Sequence, residues 1–361
     1  MKIIRIIIAC MAISAIFRTD VEACTGITLK ALDGSTIVAR TTEWGGSILN
    51  SQYVIVPRGH RITAMTAAGS NAMSFTARYG FAGITVEQEE FIVDGMNEAG
   101  LAAGLFFFPG YGKYEDYCEE HASTSLPDMQ FVSWVLASFA SVEETVRALE
   151  SIHIVALSPE AQTVHWRVAD KTGREIVIEI VGGKTNIYEN RLGVLTNSPG
   201  FDWHILNLNN YVNLKAGTAA AMEITDGVTV SSFGAGSSML GIPGDVTPPS
   251  RFVRAAFYKA TAPRYATGSE TVLQCFQILN NFDIPIGVEH SGDRIPEGLM
   301  SATQWTTASD MSAGKFYYRT WVNSAIRCID LSSIRFDKVR YQAHPLDKVT
   351  SQPVEYISPS R

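Results

Sequence analysis

Cysteine is scarce in this 361-residue chain, with five in all, and no two fall at a CxxC spacing. The seven histidines are scattered without ligand spacing. No metal site and no cofactor is therefore expected. Basic charge is in the minority: 29 lysines and arginines stand against 36 acidic residues, for a net charge of −7, which argues against nucleic acid as a partner. Repeats, low-complexity tracts and linkers are absent, and beyond the first two dozen residues no run of eighteen uninterrupted apolar residues occurs. No permanent membrane span is expected. With 46% apolar and 18% charged residues, what remains is the composition of an ordinary globular protein.

What the chain does have is a leader and a cysteine placed behind it. Lys2 and Arg5 form a basic start, Ile6 to Phe17 an apolar run of signal length, and Val21-Glu22-Ala23 a small-residue cleavage pattern. The reading is a signal peptide over 1–23, removed on export, and a single domain over 24–361 that is periplasmic or secreted. A cut after Ala23 makes Cys24 the first residue. Its thiol (reference pKa about 8.5) then lies beside a free α-amine (about 7.7–8.0) that can take its proton near neutral pH. One residue so supplies nucleophile and base, the equipment for attacking an amide and forming an acyl-enzyme. Two other readings stay open: a small buried hydrophobe, or a lipidated lipoprotein cysteine, against which stand Arg18, Thr19, Asp20 and Glu22 between the apolar run and Cys24.

Gly26 to Leu32 and Ser35 to Thr42 read as strands joined by Asp33-Gly34, a hairpin signal. A two-residue loop there places Cys24 opposite Glu43 on a shared face and Arg40 opposite Ile27 on the other, so Arg40 reaches the cysteine only across a bulge. Helices are expected over Pro127–Phe139, from the Ser141 capping box to about Ile152, and over Trp203–Leu214, Pro249–Lys259 and Glu270–Asn280. Strands are expected over 164–168, 175–181, before Asn197, and over 304–308, 315–321 and 326–330. Strands at both ends enclosing helices favour one α+β domain whose terminal strands share a sheet.

The opening CTGITLKALDGSTIVARTTEW resembles that of the choloylglycine hydrolase family, which includes bile salt hydrolases and penicillin V acylases. The family pattern is Cys-Thr-Gly followed by Gly/Ala-Arg-x-x-Asp-Trp; here Glu43 stands where Asp is usual. Asn97-Glu98-Ala99-Gly100-Leu101 through Tyr111, Leu195-Thr196-Asn197 through Tyr211, and Gly241-Ile242-Pro243-Gly244-Asp245 through Val253 are similar in the same order. The resemblance implies an N-terminal-nucleophile hydrolase with a four-layer αββα sandwich. Cys24 would be the nucleophile, Arg40 and Arg251 would favour its thiolate, and Glu43 would accept from the α-amine. Asn197 would supply a side-chain oxyanion donor, joined by the backbone N–H of Phe107. Taken singly, Asn197 suits a turn, Arg251 a solvated helix start and Arg40 an exposed strand position.

The implied reaction is hydrolysis of glycine- or taurine-conjugated bile salts. An amphipathic steroid needs a broad apolar pocket, for which Trp44, Phe106, Phe107 and Phe108 are the expected lining. Leu214 to Phe233 resembles an insertion that assembles bile salt hydrolases into tetramers, so a homotetramer is expected. Penicillin V acylase and a non-catalytic envelope binding protein are the alternatives.

Overall fold

A computed structural model describes residues 22–66, 72–158 and 161–359; most of the expected signal peptide, residues 1–21, lies outside them. The strands that build the two main sheets are Glu22–Lys30 (β1), Thr36–Trp44 (β2), Ser51–Val56 (β3), Phe81–Val86 (β4), Gln88–Asn97 (β5), Leu101–Phe107 (β6) and Val164–Asp170 (β7). Glu175–Val181 (β8), Lys184–Glu189 (β9), Val194–Leu195 (β10), Thr303–Asp310 (β11), Lys315–Thr320 (β12), Asn323–Asp330 (β13) and Gln342–Pro345 (β14) complete them. One sheet runs β10-β1-β2-β11-β12-β13, the other β9-β8-β7-β6-β5-β4-β3-β14. The chain's first and last thirds thus share a sheet, as the sequence suggests.

Helices cover the outer faces because each buries an apolar stripe there. Phe131–Ser138 (α1) packs its Phe131, Val132, Val135 and Leu136 on the eight-stranded sheet. Val142–Leu149 (α2) starts where Ser141 Oγ accepts the Glu144 N–H at 3.2 Å, although the Glu144 carboxylate reaches back to the N–H of Ala140, not that of Ser141. Phe201–Asn207 (α3) is shorter than expected and passes into a 3-10 turn over Leu208–Tyr211. Pro248–Thr261 (α4) and Gly268–Leu279 (α5) bury Phe252, Val272 and Phe276 against Ile27, Leu29, Ile37 and Ala39 of the six-stranded sheet. The result is helix, sheet, sheet, helix.

The first hairpin departs from the expected register. Its loop has three residues, Leu32, Asp33 and Gly34, closed by an Ala31 N–H to Ser35 O bond of 2.9 Å. Gly34 takes φ +91°, the left-handed conformation of a three-residue hairpin loop. The Leu32 and Asp33 N–H groups are drawn away to the carbonyls of Tyr265 and Ala266. One extra loop residue moves every pair by one. Cys24 therefore faces Thr42, Glu43 faces Ala23, and Arg40 faces Gly26 in an unbroken ladder. Arg40 shares the Cys24 face without any bulge, and Glu43 lies on the other.

At Gly26 side chains of the second sheet press directly on the first. A β-carbon there would lie 2.7 Å from Arg167 Nη1 and 2.9 Å from Phe106 Cζ, so the glycine of Cys-Thr-Gly is a packing requirement.

Candidate active site

Cys24 is almost fully buried, 6% exposed, and is reached from three directions. From the space between the sheets, Arg40 brings Nη2 to 2.8 Å from Sγ. Three of its other guanidinium hydrogens go to the carbonyls of Leu105, Val93 (3.3 Å) and Thr41 (3.3 Å), and the group lies 4.2 Å over the Phe106 ring, with Trp305 at 5.5 Å. Held by three carbonyls and two aromatic faces, the cation has one place to point. From the helix side, Arg251 on α4 donates from Nη1 to Cys24 O at 2.6 Å and to Thr25 Oγ1 at 2.8 Å, and from Nη2 to Asn197 Oδ1 at 2.7 Å. From the strand edge, Asn197 follows β10, which pairs Leu195 with Gly26. Its Oδ1 accepts the Cys24 N–H at 2.8 Å and its Nδ2 donates to Phe107 O at 2.8 Å. Two donors on one atom and an acceptor on the other fix the amide's orientation.

In this chain Cys24 N is still the amide of the Ala23 peptide bond. In a chain cut after Ala23 that nitrogen would be the α-amine. Burial raises the Cys24 thiol above its ordinary value; Arg40 pulls it down, Glu43 pushes it up, and the Phe107 N–H and Arg251 pull it down again. Both arginines thus favour the thiolate, as the resemblance implies, while burial and Glu43 oppose it.

Glu43 is 2% exposed and accepts from Thr303 Oγ1 at 3.2 Å. Burial pushes its carboxyl up to about 8, against the pull of Arg251, Thr41, Arg40 and Thr303. It does not touch Cys24 N, whose partner is Asn197. Ala23, opposite Glu43, is packed among Ile284, Ile286, Leu299 and Ala302.

A cleft of about 110 Å³ opens at Cys24, walled by Trp44 and Phe107 together with Leu49, Phe91, Met129 and Leu157. Phe106 and Phe108 do not line it, contrary to expectation. Alternation along an extended chain sends 106 and 108 away from 107: Phe106 is buried beneath Arg40, and Phe108 lies flat on His165, 4.5 Å between centroids. The cleft wall also holds Asp128, whose carboxyl burial pushes up to about 6.

The structure thus brings Cys24, Arg40, Asn197, Arg251 and the Phe107 backbone into one bonded cluster. Sequence reading missed Trp305, Thr303, His165 and His204. Trp305 and Thr303 come from a strand some 280 residues beyond Cys24 in sequence, and no local signal joins them to it; His204 is visible only as part of the Phe201-Asp202-Trp203-His204 run. Among the described residues, no group of three or more His, Cys, Asp or Glu could hold a metal ion, and no helix is long and apolar enough to cross a membrane. Cys118, Cys275 and Cys328 are each unpaired.

A family model described as linear amide C–N hydrolases, choloylglycine hydrolase family, matches residues 24–342. A bile salt hydrolase/transferase of Clostridium perfringens is 33% identical over 334 residues, covering 91% of this chain and 98% of that protein. One from Lactiplantibacillus plantarum is 34% identical, covering 74% and 82%. Among solved structures, a variant of the conjugated bile acid hydrolase from Clostridium perfringens superposes with a TM-score of 0.79 at 31% identity, over 93% of this chain and all of that one. A penicillin V acylase from Agrobacterium tumefaciens shares the fold, with a TM-score of 0.73 at 24% identity over 91% and 95%.

Proposed function

The chain belongs to the choloylglycine hydrolase family of linear amide C–N hydrolases, and from that premise we propose that it cleaves the amide of glycine- or taurine-conjugated bile salts with Cys24 as N-terminal nucleophile. The observation that carries this reading is the convergence of Arg40, Arg251 and Asn197 on one cysteine that follows a cleavage pattern. With Ala23 removed, the α-amine takes the thiol proton and Sγ attacks the substrate carbonyl. Arg40, 2.8 Å from Sγ, stabilises the thiolate during the transfer. The oxyanion that forms is met by the second Asn197 Nδ2 hydrogen, the first being spent on Phe107 O, and by the Phe107 N–H, which faces the thiol. The C–N bond breaks as the protonated amine hands its proton to the departing glycine or taurine nitrogen. Water, deprotonated by the same amine, then hydrolyses the thioester, and the bile acid leaves.

Arg251 holds Cys24 O and Asn197 Oδ1 together and so fixes nucleophile to oxyanion donor. Glu43, on the opposite face and bonded to Thr303 rather than to the Cys24 nitrogen, acts on the site through its charge alone. The wall of Trp44, Phe107 and Leu49 offers an apolar acyl group a surface. Removal of residues 1–23 by signal processing would place the enzyme in the periplasm or outside the cell. Homotetramer assembly through Leu214–Phe233 is supported by side chains left outside the core there: Met222, Ile224, Val228, Val230 and Phe233 are all exposed.

Turnover of taurocholate, glycocholate and penicillin V by the chain beginning at Cys24 tests the substrate class. Bile salts are expected to be preferred; a tenfold or greater preference for penicillin V would reassign it within the family.

A further inference from the structure

Asn197 sits just past the end of its strand. β10 is two residues long and its pairing with β1 stops at Leu195. The next two residues are fully enclosed, Thr196 at 0% and Asn197 at 1% exposure, yet no sheet ladder takes their carbonyls. Buried carbonyls need donors. Here both donors are histidine side chains from different elements: His165 Nε2 on β7 lies 3.0 Å from Thr196 O, and His204 Nε2 on α3 lies 2.9 Å from Asn197 O. Each ring is itself clamped. His165 stacks on Phe108 at 4.5 Å and 8°, and His204 on Phe252 at 4.6 Å and 12°. Both rings are wholly buried.

Glu179 on β8 ties the two together. Its Oε1 lies 3.0 Å from His165 Nδ1 and accepts the Phe201 N–H at 2.9 Å, at the first turn of the helix that carries His204. Because Nε2 of His165 faces a carbonyl, it must bear hydrogen, and one further proton lies on the line between Nδ1 and Oε1. A tautomer with Nε2 bare would set a lone pair against the Thr196 carbonyl.

We propose that His165, His204 and Glu179 are positioning residues that hold the Thr196-Asn197 backbone, and through it the Asn197 side chain, where the oxyanion forms. The claim rests on the reading of Asn197 as oxyanion donor. None of the three touches Cys24; they act by fixing both ends of the peptide units from which the amide projects. An oxyanion donor misplaced by a fraction of an ångström loses much of its effect, since these contacts work only in the transition state. Substrate binding in the cleft does not depend on the clamp: none of the three lines it. The loss should therefore fall on kcat.

His165→Phe and His204→Phe keep each ring's shape and stacking while removing its hydrogen bonds. Each is expected to lower kcat roughly 10- to 100-fold with KM within about threefold, and to leave the rate of Cys24 alkylation by iodoacetamide unchanged. His165→Gln, which can still donate to Thr196 O, is expected to recover at least part of the kcat lost in His165→Phe. A folded His165→Phe or His204→Phe enzyme with wild-type kcat, or one whose loss lies in KM or in slowed alkylation, would overturn the proposal. If His165→Phe does not fold, His204→Phe decides alone, since it removes a single bond. Asn197→Ala separates the two claims: if it stays active, the oxyanion reading itself fails, whereas an inactive Asn197→Ala beside active histidine variants defeats only the clamp.

Discussion

At the scale of single residues, the reactivity of Cys24 turns on where charge is held around a buried sulfur. Arg40 is the group that most lowers the Cys24 thiol against the effect of burial. Arg40→Met is therefore expected to slow iodoacetamide alkylation of Cys24 at pH 7, because less of the thiol is ionised without the cation; an unchanged rate would remove Arg40 from the mechanism. Glu43 gives a stability signature in the chain that retains Ala23. Its carboxyl, at about 8 in the folded state against an ordinary 4.5, keeps a proton that the unfolded chain gives up. That contribution is complete below pH 4.5, falls as pH rises, and is lost through about 8. Urea unfolding at pH 5 and pH 8 should show Glu43→Gln losing less stability over this interval than wild type, by more than ~1 kcal/mol. Equal losses would mean that Glu43 is not protonated in the fold.

At the scale of elements, the first hairpin and β6 explain both what the sequence disclosed and what it hid. Asp33-Gly34 located the turn correctly, but a dipeptide cannot say whether two or three residues close it. That choice is made by the Tyr265 and Ala266 carbonyls, which take the loop's N–H groups from across the molecule. The one-residue difference exchanged Arg40 and Glu43 between faces. Gly34→Ala, at φ +91°, is expected to cost about 1–3 kcal/mol with kcat retained, read from urea midpoints; no cost would argue against the three-residue loop. The aromatic triplet was legible as lining only at Phe107. Phe106→Ala is expected to destabilise the fold by about 3–5 kcal/mol, whereas Phe107→Ala should chiefly raise KM. Similar unfolding midpoints for the two variants would contradict the alternation. The helices, by contrast, were readable because caps, prolines and apolar periodicity are local signals, whereas the αββα layering came only through the family resemblance.

On the scale of the whole molecule, the protein is a scaffold that brings residues spread from position 40 to position 251 onto one cysteine. β1 supplies Cys24, β2 Arg40, the segment after β10 Asn197, and α4 Arg251. Ordered sequence blocks made those four legible, while Trp305, Thr303 and the histidine clamp were not, because their roles exist only once two sheets face each other. The same assembly makes Ala23 decisive. While its peptide bond is intact, Cys24 N is an amide that donates to Asn197 and has no basic lone pair with which to take the thiol proton. Comparing glycocholate hydrolysis by two otherwise identical chains, one beginning at Cys24 and one at Ala23, is the most direct test. The account predicts turnover from the first and at least a hundredfold less from the second; equal rates would contradict an N-terminal cysteine mechanism.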